Sequence, residues 1–155
     1  RCIDYISLNQ FHGTKQHFSA CHDFLQKVNI QEASIHVDEL DKDTMEFIFH
    51  LADATPSIDI SGATGDASTA LIISMIKGML TRRKCDVIRI YRHNSYTRND
   101  LDHLIQFISR LDKKIVVHVD TQFSSDFEMQ EGAYTLKNYH QATVCMIRHT
   151  EYPYL

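Results

Sequence analysis

The chain lacks several patterns that define familiar functional classes. Its four cysteines include no C-x-x-C pair and its 10 histidines form no H-E-x-x-H, so the sequence predicts reduced thiols and no zinc site. No serine stands in G-x-S-x-G, and the acidic residues after position 120 are not followed by an E-x-K strand. A Walker A loop is excluded because Asp66, not lysine, follows Gly65. No catalytic constellation is therefore predicted.

Long apolar runs and a signal peptide are also missing. No segment approaches the roughly 20 apolar residues that a membrane span needs. The net charge of −4, with both signs mixed along the chain, argues against an extended grip on DNA or RNA. We expect a cytoplasmic protein without a membrane partner, and any nucleotide ligand to be small. Because the chain opens on Arg1 rather than methionine, we expect it to be a piece of a longer protein.

The length and the hydrophobic pattern predict one Rossmann-like α/β domain over residues 1–155. The 155 residues are 43% hydrophobic, which is enough for one core, and no linker or repeat divides them. Strand-like and helix-like patterns alternate over residues 1–120, which predicts a mostly parallel sheet of about five to six strands with helices on both faces. Residues 121–155 are less regular: residues 121–141 are interpreted as a lid or linker before a final strand.

The individual elements follow from period-2 and period-3.6 patterns and from capping residues. A helix ending at Ala52 is predicted to have Asp41 or Asp43 as its cap, and a later helix to have Asp66 or Ser68. The predicted strands are residues 2–8, 34–37, 57–61, 86–91, 115–119 and 143–148, and the other helices are residues 15–28, 67–82 and 97–111.

The most informative stretch is the small polar loop between the strand at residues 57–61 and the helix that follows it. Gly62 and Gly65 allow positive φ and close backbone approach, and Thr64 offers a hydroxyl. The free N–H groups and the positive dipole end of the next helix would favour a phosphate there. An ordinary strand-to-helix turn remains the alternative for this loop.

Other loops should join this one, because ligands of open parallel sheets bind beyond the carboxyl ends of the strands. Loops after the first and fourth strands supply amides, hydroxyls, a histidine and cations, which suit phosphates and base edges. Each loop alone reads as solvated, and together they predict a nucleotide-like ligand. The candidate ligand-binding residues are Asn9, Gln10, Thr14, Lys15, Ser61, Gly62, Ala63, Thr64, Gly65, Asp66, Arg92 and His93.

Residues 1–95 resemble the CRISPR-associated Rossmann-fold (CARF) domains. The similarity lies in I-H-V-D-E-L-D at residues 35–41, in I-D-I at residues 58–60, and in S-G-A-T-G before a helix rich in small residues. Ala63 replaces the usual second glycine and Gly65 the usual lysine. The resemblance implies a homodimer that binds a cyclic oligoadenylate in antiviral defence, with residues 61–65 lining its phosphates and riboses. It also implies a fused or associated effector domain.

Two alternatives remain open. G-A-T-G at residues 62–65 also resembles the nucleotide fingerprint of extended short-chain dehydrogenases, with Arg92 where an NADP phosphate would lie. In this chain Ser68 replaces the third glycine, and the Tyr-x-x-x-Lys pair is absent. The third reading is an α/β interaction module without a ligand, whose signature would be an exposed apolar patch.

Overall fold

A computed structural model describes residues 2–11, 15–62, 68–91, 96–120, 128–131, 134–139 and 143–148. Strands and helices alternate through most of this part of the chain. The elements are β1 (Cys2–Phe11), α1 (Lys15–Leu25), β2 (Asn29–Val37), α2 (Lys42–Ala54), β3 (Ser57–Ser61), α3 (Thr69–Leu80), β4 (Val87–Tyr91), α4 (Arg98–Ser109), β5 (Val116–Asp120), β6 (Glu128–Glu131), β7 (Tyr134–Tyr139) and β8 (Thr143–Arg148).

The described strands form one 8-stranded sheet in the order β1-β2-β3-β4-β5-β8-β7-β6. Strands β1 to β5 are parallel to one another, and β8, β7 and β6 extend the sheet beyond β5 with antiparallel pairs. The predicted α/β fold with a mostly parallel sheet is confirmed. The sheet is wider than expected because residues 121–141, for which the sequence predicts a lid or linker, contain the antiparallel strands β6 and β7.

The helices differ from the prediction in their arrangement. Helix α1 packs beside α2, α2 beside α3, and α3 beside α4, so the four described helices form one continuous layer rather than covering both faces. The strand order explains this layer. Each crossover advances to the next strand in the same direction, and crossovers of one hand then put every helix on the same side of the sheet.

Side-chain alternation along the strands matches this single helix layer. Ile58 and Ile60 in β3, and Ile88 and Ile90 in β4, are buried in one hydrophobic cluster with residues of α2, α3 and α4 such as Phe47. The residues between them are only partly buried. One face of the parallel strands therefore forms the core, and the opposite face carries polar side chains.

Capping residues set where the central helices begin. Asp41 accepts a hydrogen bond from the N–H of Thr44 at 2.7 Å, and Ser68 accepts one from the N–H of Leu71 at 3.2 Å. These two contacts decide between the predicted alternatives: Asp41 rather than Asp43 caps α2, and Ser68 rather than Asp66 caps α3. Helix α4 begins with a reciprocal capping box between Thr97 and Asp100.

Candidate functional site

The polar side of the parallel strands is the candidate site and is called the open face below. In β3 the sequence Ser57-Ile58-Asp59-Ile60-Ser61 alternates partly buried polar residues with buried isoleucines. Side chains at alternate strand positions point to opposite sides, so every second residue of neighbouring strands joins the same face. The open face carries Tyr5, Glu32, Ser34, His36, Ser57, Asp59, Ser61, Arg89, Tyr91 and His118.

An ion pair lies near the middle of the open face. The register places Asp59 of β3 opposite Arg89 of β4. Arg89 Nη1 lies 3.1 Å from Asp59 Oδ1 and 3.4 Å from the Ser57 hydroxyl oxygen. The two charged side chains are only 27% and 20% exposed, so water screens this pair less than it would on an outer surface. The pair fixes the guanidinium of β4 against the carboxylate of β3.

A serine, a histidine and an aspartate lie together at the carboxyl edge of the same face. His36 is opposite Ser61 across β2 and β3, and its Nδ1 lies 3.3 Å from the Ser61 hydroxyl oxygen. Its other nitrogen, Nε2, lies 3.7 Å from Asp38 Oδ1. Asp38 lies in the bend directly after β2, and the 3.7 Å distance places its carboxylate beside the His36 ring.

Aromatic rings lie on two sides of these polar groups. Tyr91 is opposite Ser61 across β3 and β4 and is 45% exposed. Its ring centroid lies 6.0 Å from that of His118 on β5. Tyr5, on β1, is 54% exposed. Among the described residues, these are two of the three large hydrophobic side chains that are strongly exposed, and the third, Phe24, lies on α1.

The loop after β3 is held by a glycine that no other residue could replace without strain. Gly62 has φ of 113°, a conformation that L-residues rarely adopt. A β-carbon there would lie 2.3 Å from the carbonyl oxygen of Val37. The positive φ that the sequence predicts for Gly62 is confirmed. In the described residues, however, the backbone that Gly62 approaches closely is that of Val37, at the end of β2.

The structure describes only part of the loop cluster predicted from the sequence. Ser61 ends β3, Gly62 follows it, Asn9 and Gln10 lie in β1, and Lys15 begins α1. The strands β1, β3 and β4 are parallel, so their carboxyl ends lie at one edge of the sheet as predicted. The remaining candidates lie outside the described residues: Thr14, Ala63, Thr64, Gly65, Asp66, Arg92 and His93.

The opposite edge of the sheet carries a lysine that is tied to backbone carbonyls. Lys113 Nζ donates to the carbonyl oxygens of Cys85 and, at 2.7 Å, of Arg82. Burial lowers the pKa of Lys113, raises that of Asp86, and raises the pKa of the Cys85 thiol to about 12. A thiol with so high a pKa is a poor nucleophile. This cluster closes the amino edge of the sheet and offers no reactive group.

Two other features complete the described surface. A groove of about 480 Å³ runs over α2 and α3, lined by apolar side chains that include Met45, Phe49 and Leu71. Within the described residues, no helix has the length and apolarity to cross a membrane, and no set of three or more metal-ligating side chains converges.

Comparison with known protein families, curated proteins and solved structures gives no match to this chain. Its function must therefore be inferred from its own residues.

Sequence reasoning missed most of the open face, although a signal was present. The run S-I-D-I-S alternates strictly between polar and apolar residues, and in V-I-R-I-Y the isoleucines alternate with Val87, Arg89 and Tyr91. A parallel strand covered on both sides reads instead as a nearly continuous apolar run. The alternation therefore predicts one uncovered face, and it selects Asp59, Ser61, Arg89 and Tyr91 as members of that face. Placing His36 opposite Ser61 also requires the register between β2 and β3, which the sequence does not show.

Proposed function

We propose that this chain is a protein-interaction module that binds its partner through the open face. The observation that carries the proposal is the single layer of helices, which leaves the polar side of five parallel strands without a helix in the described residues. Parallel sheets in enzymes of the doubly wound class are covered on both sides. Repeat proteins that stack parallel units with helices on one side use extended surfaces of this kind for binding.

The composition of the open face supports this reading. Exposed Tyr5 and Tyr91 lie on it, and tyrosine is enriched in binding interfaces because it buries a large area at low entropic cost. The two residues are on β1 and β4, so three strand spacings, roughly 14 Å, separate them across the sheet. A partner that contacts both would cover the polar residues between them.

The charges of the open face favour a partner with basic and hydrogen-bond-donating side chains. Glu32, Asp38 and Asp59 are acidic, and Arg89 is already paired with Asp59. The chain as a whole carries a net charge of −4. Charge complementarity speeds association and excludes partners of the same sign.

The strand order also favours a face over a crevice. Nucleotide crevices of open α/β sheets form where the strand order reverses, so that loops diverge to opposite faces. The order β1 to β5 runs in one direction without such a reversal. Because the order has no such reversal, the open face is a better candidate for binding than a crevice between strands.

Site-specific photo-crosslinking tests the proposal. The photoreactive amino acid p-benzoylphenylalanine replaces Tyr91 in one variant and Phe24 in a control variant, both of which are 45% exposed. Expressed in the source cells, the position-91 variant should give a discrete protein adduct that the position-24 variant does not give. The charge reversal Glu32→Lys in the same chain puts a cation on the acidic open face and should abolish the adduct. Equal adducts from both positions, or none from position 91, would overturn the proposal.

The second candidate function is the cyclic-nucleotide sensor that the CARF resemblance implies. Gly62, with φ of 113° directly after β3, supports an unusual backbone shape at the start of the loop that is the predicted ligand position. In this reading a homodimer binds cyclic oligoadenylate through residues 61–65 and signals to an effector domain. The N–H groups at the start of α3 would then face the anion.

Calorimetric titration separates the two candidates. The purified chain is titrated with cyclic tri-, tetra- and hexa-adenylate, and with NADPH to test the dehydrogenase alternative. One cyclic molecule bound per dimer, with binding lost in Thr64→Ala, would support the sensor. Heat from NADPH alone would support the dehydrogenase-like reading, and no heat from any titrant would overturn both nucleotide readings for this chain.

A further inference from the structure

The arrangement of Ser61, His36 and Asp38 suggests a chemical activity that is separate from partner binding. The imidazole of His36 lies between the other two side chains: Nδ1 is 3.3 Å from the Ser61 hydroxyl oxygen, and Nε2 is 3.7 Å from Asp38 Oδ1. A base within hydrogen-bond reach of a hydroxyl, itself next to a carboxylate, is the geometry that activates serine nucleophiles. We propose that Ser61 is a nucleophile that accepts an acyl group from uncharged esters.

The backbone holds the three groups in place. Ser61 and His36 are register partners at the carboxyl ends of the parallel strands β3 and β2, so the distance between them depends on strand pairing rather than on a loop. Asp38 is in the bend that directly follows β2, with its carboxylate 3.7 Å from His36 Nε2. The His36 and Asp38 side chains are 41% and 43% exposed, so a small ester can approach this edge of the open face.

The roles follow from the two nitrogens of the imidazole. In the tautomer that carries its proton on Nε2, Nδ1 accepts the Ser61 proton. The 3.7 Å distance from Nε2 to Asp38 is longer than a hydrogen bond, so Asp38 acts by charge and stabilises the imidazolium. Asp38 is a positioning residue, and Ser61 and His36 are the catalytic residues.

The step is an acyl transfer in two stages. Ser61 Oγ forms a bond to the ester carbonyl carbon while its proton moves to His36 Nδ1, and the bond to the leaving alkoxide or phenolate oxygen then breaks. The proton on His36 passes to the leaving oxygen or to water. Water then attacks the acyl carbon while His36 Nδ1 accepts a proton from it. As the bond between the acyl carbon and Ser61 Oγ breaks, His36 donates that proton to Oγ, which releases the acid and restores Ser61.

The surroundings define the substrate class. The carboxylate of Asp38, beside His36, disfavours anionic acyl groups. Tyr91, next to Ser61 across the sheet, offers an exposed aromatic ring against which an aryl group can pack. Uncharged aryl esters fit these features best.

The probe is p-nitrophenyl acetate, because its phenolate departs without needing a proton. Excess ester should produce a burst of p-nitrophenolate of one equivalent per chain, and peptide mass spectrometry should find the acetyl group on Ser61. The variant Ser61→Ala should lose both the burst and the adduct. The variant His36→Gln should acylate about 100-fold more slowly, the low end of what a general base contributes.

Two further variants complete the test. Asp38→Asn should lower the maximal acylation rate and leave the ester concentration at half-maximal rate unchanged, a split that a merely structural role would not produce. Ser74→Ala, at an exposed serine on α3 away from the open face, should behave as the parent chain. Thermal unfolding confirms that each variant is folded. Acetylation at another residue, or an undiminished burst in Ser61→Ala, would overturn the proposal.

Discussion

A β-carbon on residue 62 would lie 2.3 Å from the carbonyl oxygen of Val37, so the end of β2 and the turn after β3 fit together only with glycine. The variant Gly62→Ala must also place alanine at φ of 113°. We expect it to lower the free energy of unfolding by on the order of 3 kcal/mol.

Urea denaturation followed by circular dichroism measures the effect of Gly62→Ala. The control is Gly78→Ala in α3, where the β-carbon would meet only the outer atoms of the Phe49 ring. That ring can move and alanine favours the helix, so we expect a change within about 1 kcal/mol. Similar losses at both positions would contradict the assigned role of Gly62.

The ion pair between Asp59 and Arg89 should contribute measurably to stability. The side chains are 20% and 27% exposed and 3.1 Å apart, which reduces screening by solvent. A double-mutant cycle with Asp59→Asn and Arg89→Gln should give a coupling free energy of about 1 kcal/mol.

An exposed pair provides the control for this cycle. Arg82 Nη1 lies 3.3 Å from Asp53 Oδ2, with side chains 36% and 49% exposed. The same cycle there, with Asp53→Asn and Arg82→Gln, should give less than about 0.5 kcal/mol. A coupling energy at Asp59 and Arg89 no larger than this would contradict the assignment of a shielded pair.

The cysteines should differ in reactivity. Burial raises the pKa of Cys85 to about 12, so its thiolate is scarce at neutral pH, whereas Cys2 is exposed. Iodoacetamide at pH 8 should alkylate Cys2 in the folded chain and leave Cys85 unmodified, as measured by peptide mass spectrometry. Guanidinium chloride should make both react. Equal alkylation of both in the folded chain is the contrary result.

Stability should depend on pH through Asp86. Burial raises the pKa of this carboxyl above its ordinary value of 3.8, and the opposing charge of Lys113 offsets the effect only in part. Between the unfolded and folded pKa values the folded state binds more protons. The Asp86 contribution is therefore fully present below 3.8, and the free energy of unfolding falls as pH rises through this window.

The variant Asp86→Asn should flatten this fall, as measured by urea denaturation across a pH series. Asp23→Asn, at an exposed carboxylate on α1, should keep the slope of the parent chain. An unchanged slope in Asp86→Asn would show that the raised pKa does not affect stability.

Lys113 should act at the alkaline end. Burial lowers the pKa of its ammonium below 10.5, so near that pH the unfolded chain binds more protons than the folded one. The free energy of unfolding should then rise with pH in the window that ends at 10.5. Denaturation of Lys113→Met in the same series should lack this rise, and a parent chain without the rise would contradict the prediction.

The sequence by itself determined the α/β class, the sheet edge at which the parallel strands end, and several element boundaries. Local signals suffice for these features. Alternating isoleucines mark β3 from Ser57 to Ser61, and Gly62 marks a backbone position that needs positive φ. Side-chain periodicity and capping act over a few residues, so they are readable without knowing what packs against them.

Only the tertiary structure decided the strand order, and the order decides where the helices lie. No local pattern states that β1 to β5 follow one another in the same direction, because the direction of each crossover depends on contacts between distant residues. The same long-range pairing brings His36 to Ser61, 25 positions apart in sequence. Strand register therefore brings the residues of the candidate site together. They are far apart in the sequence and form no sequence motif.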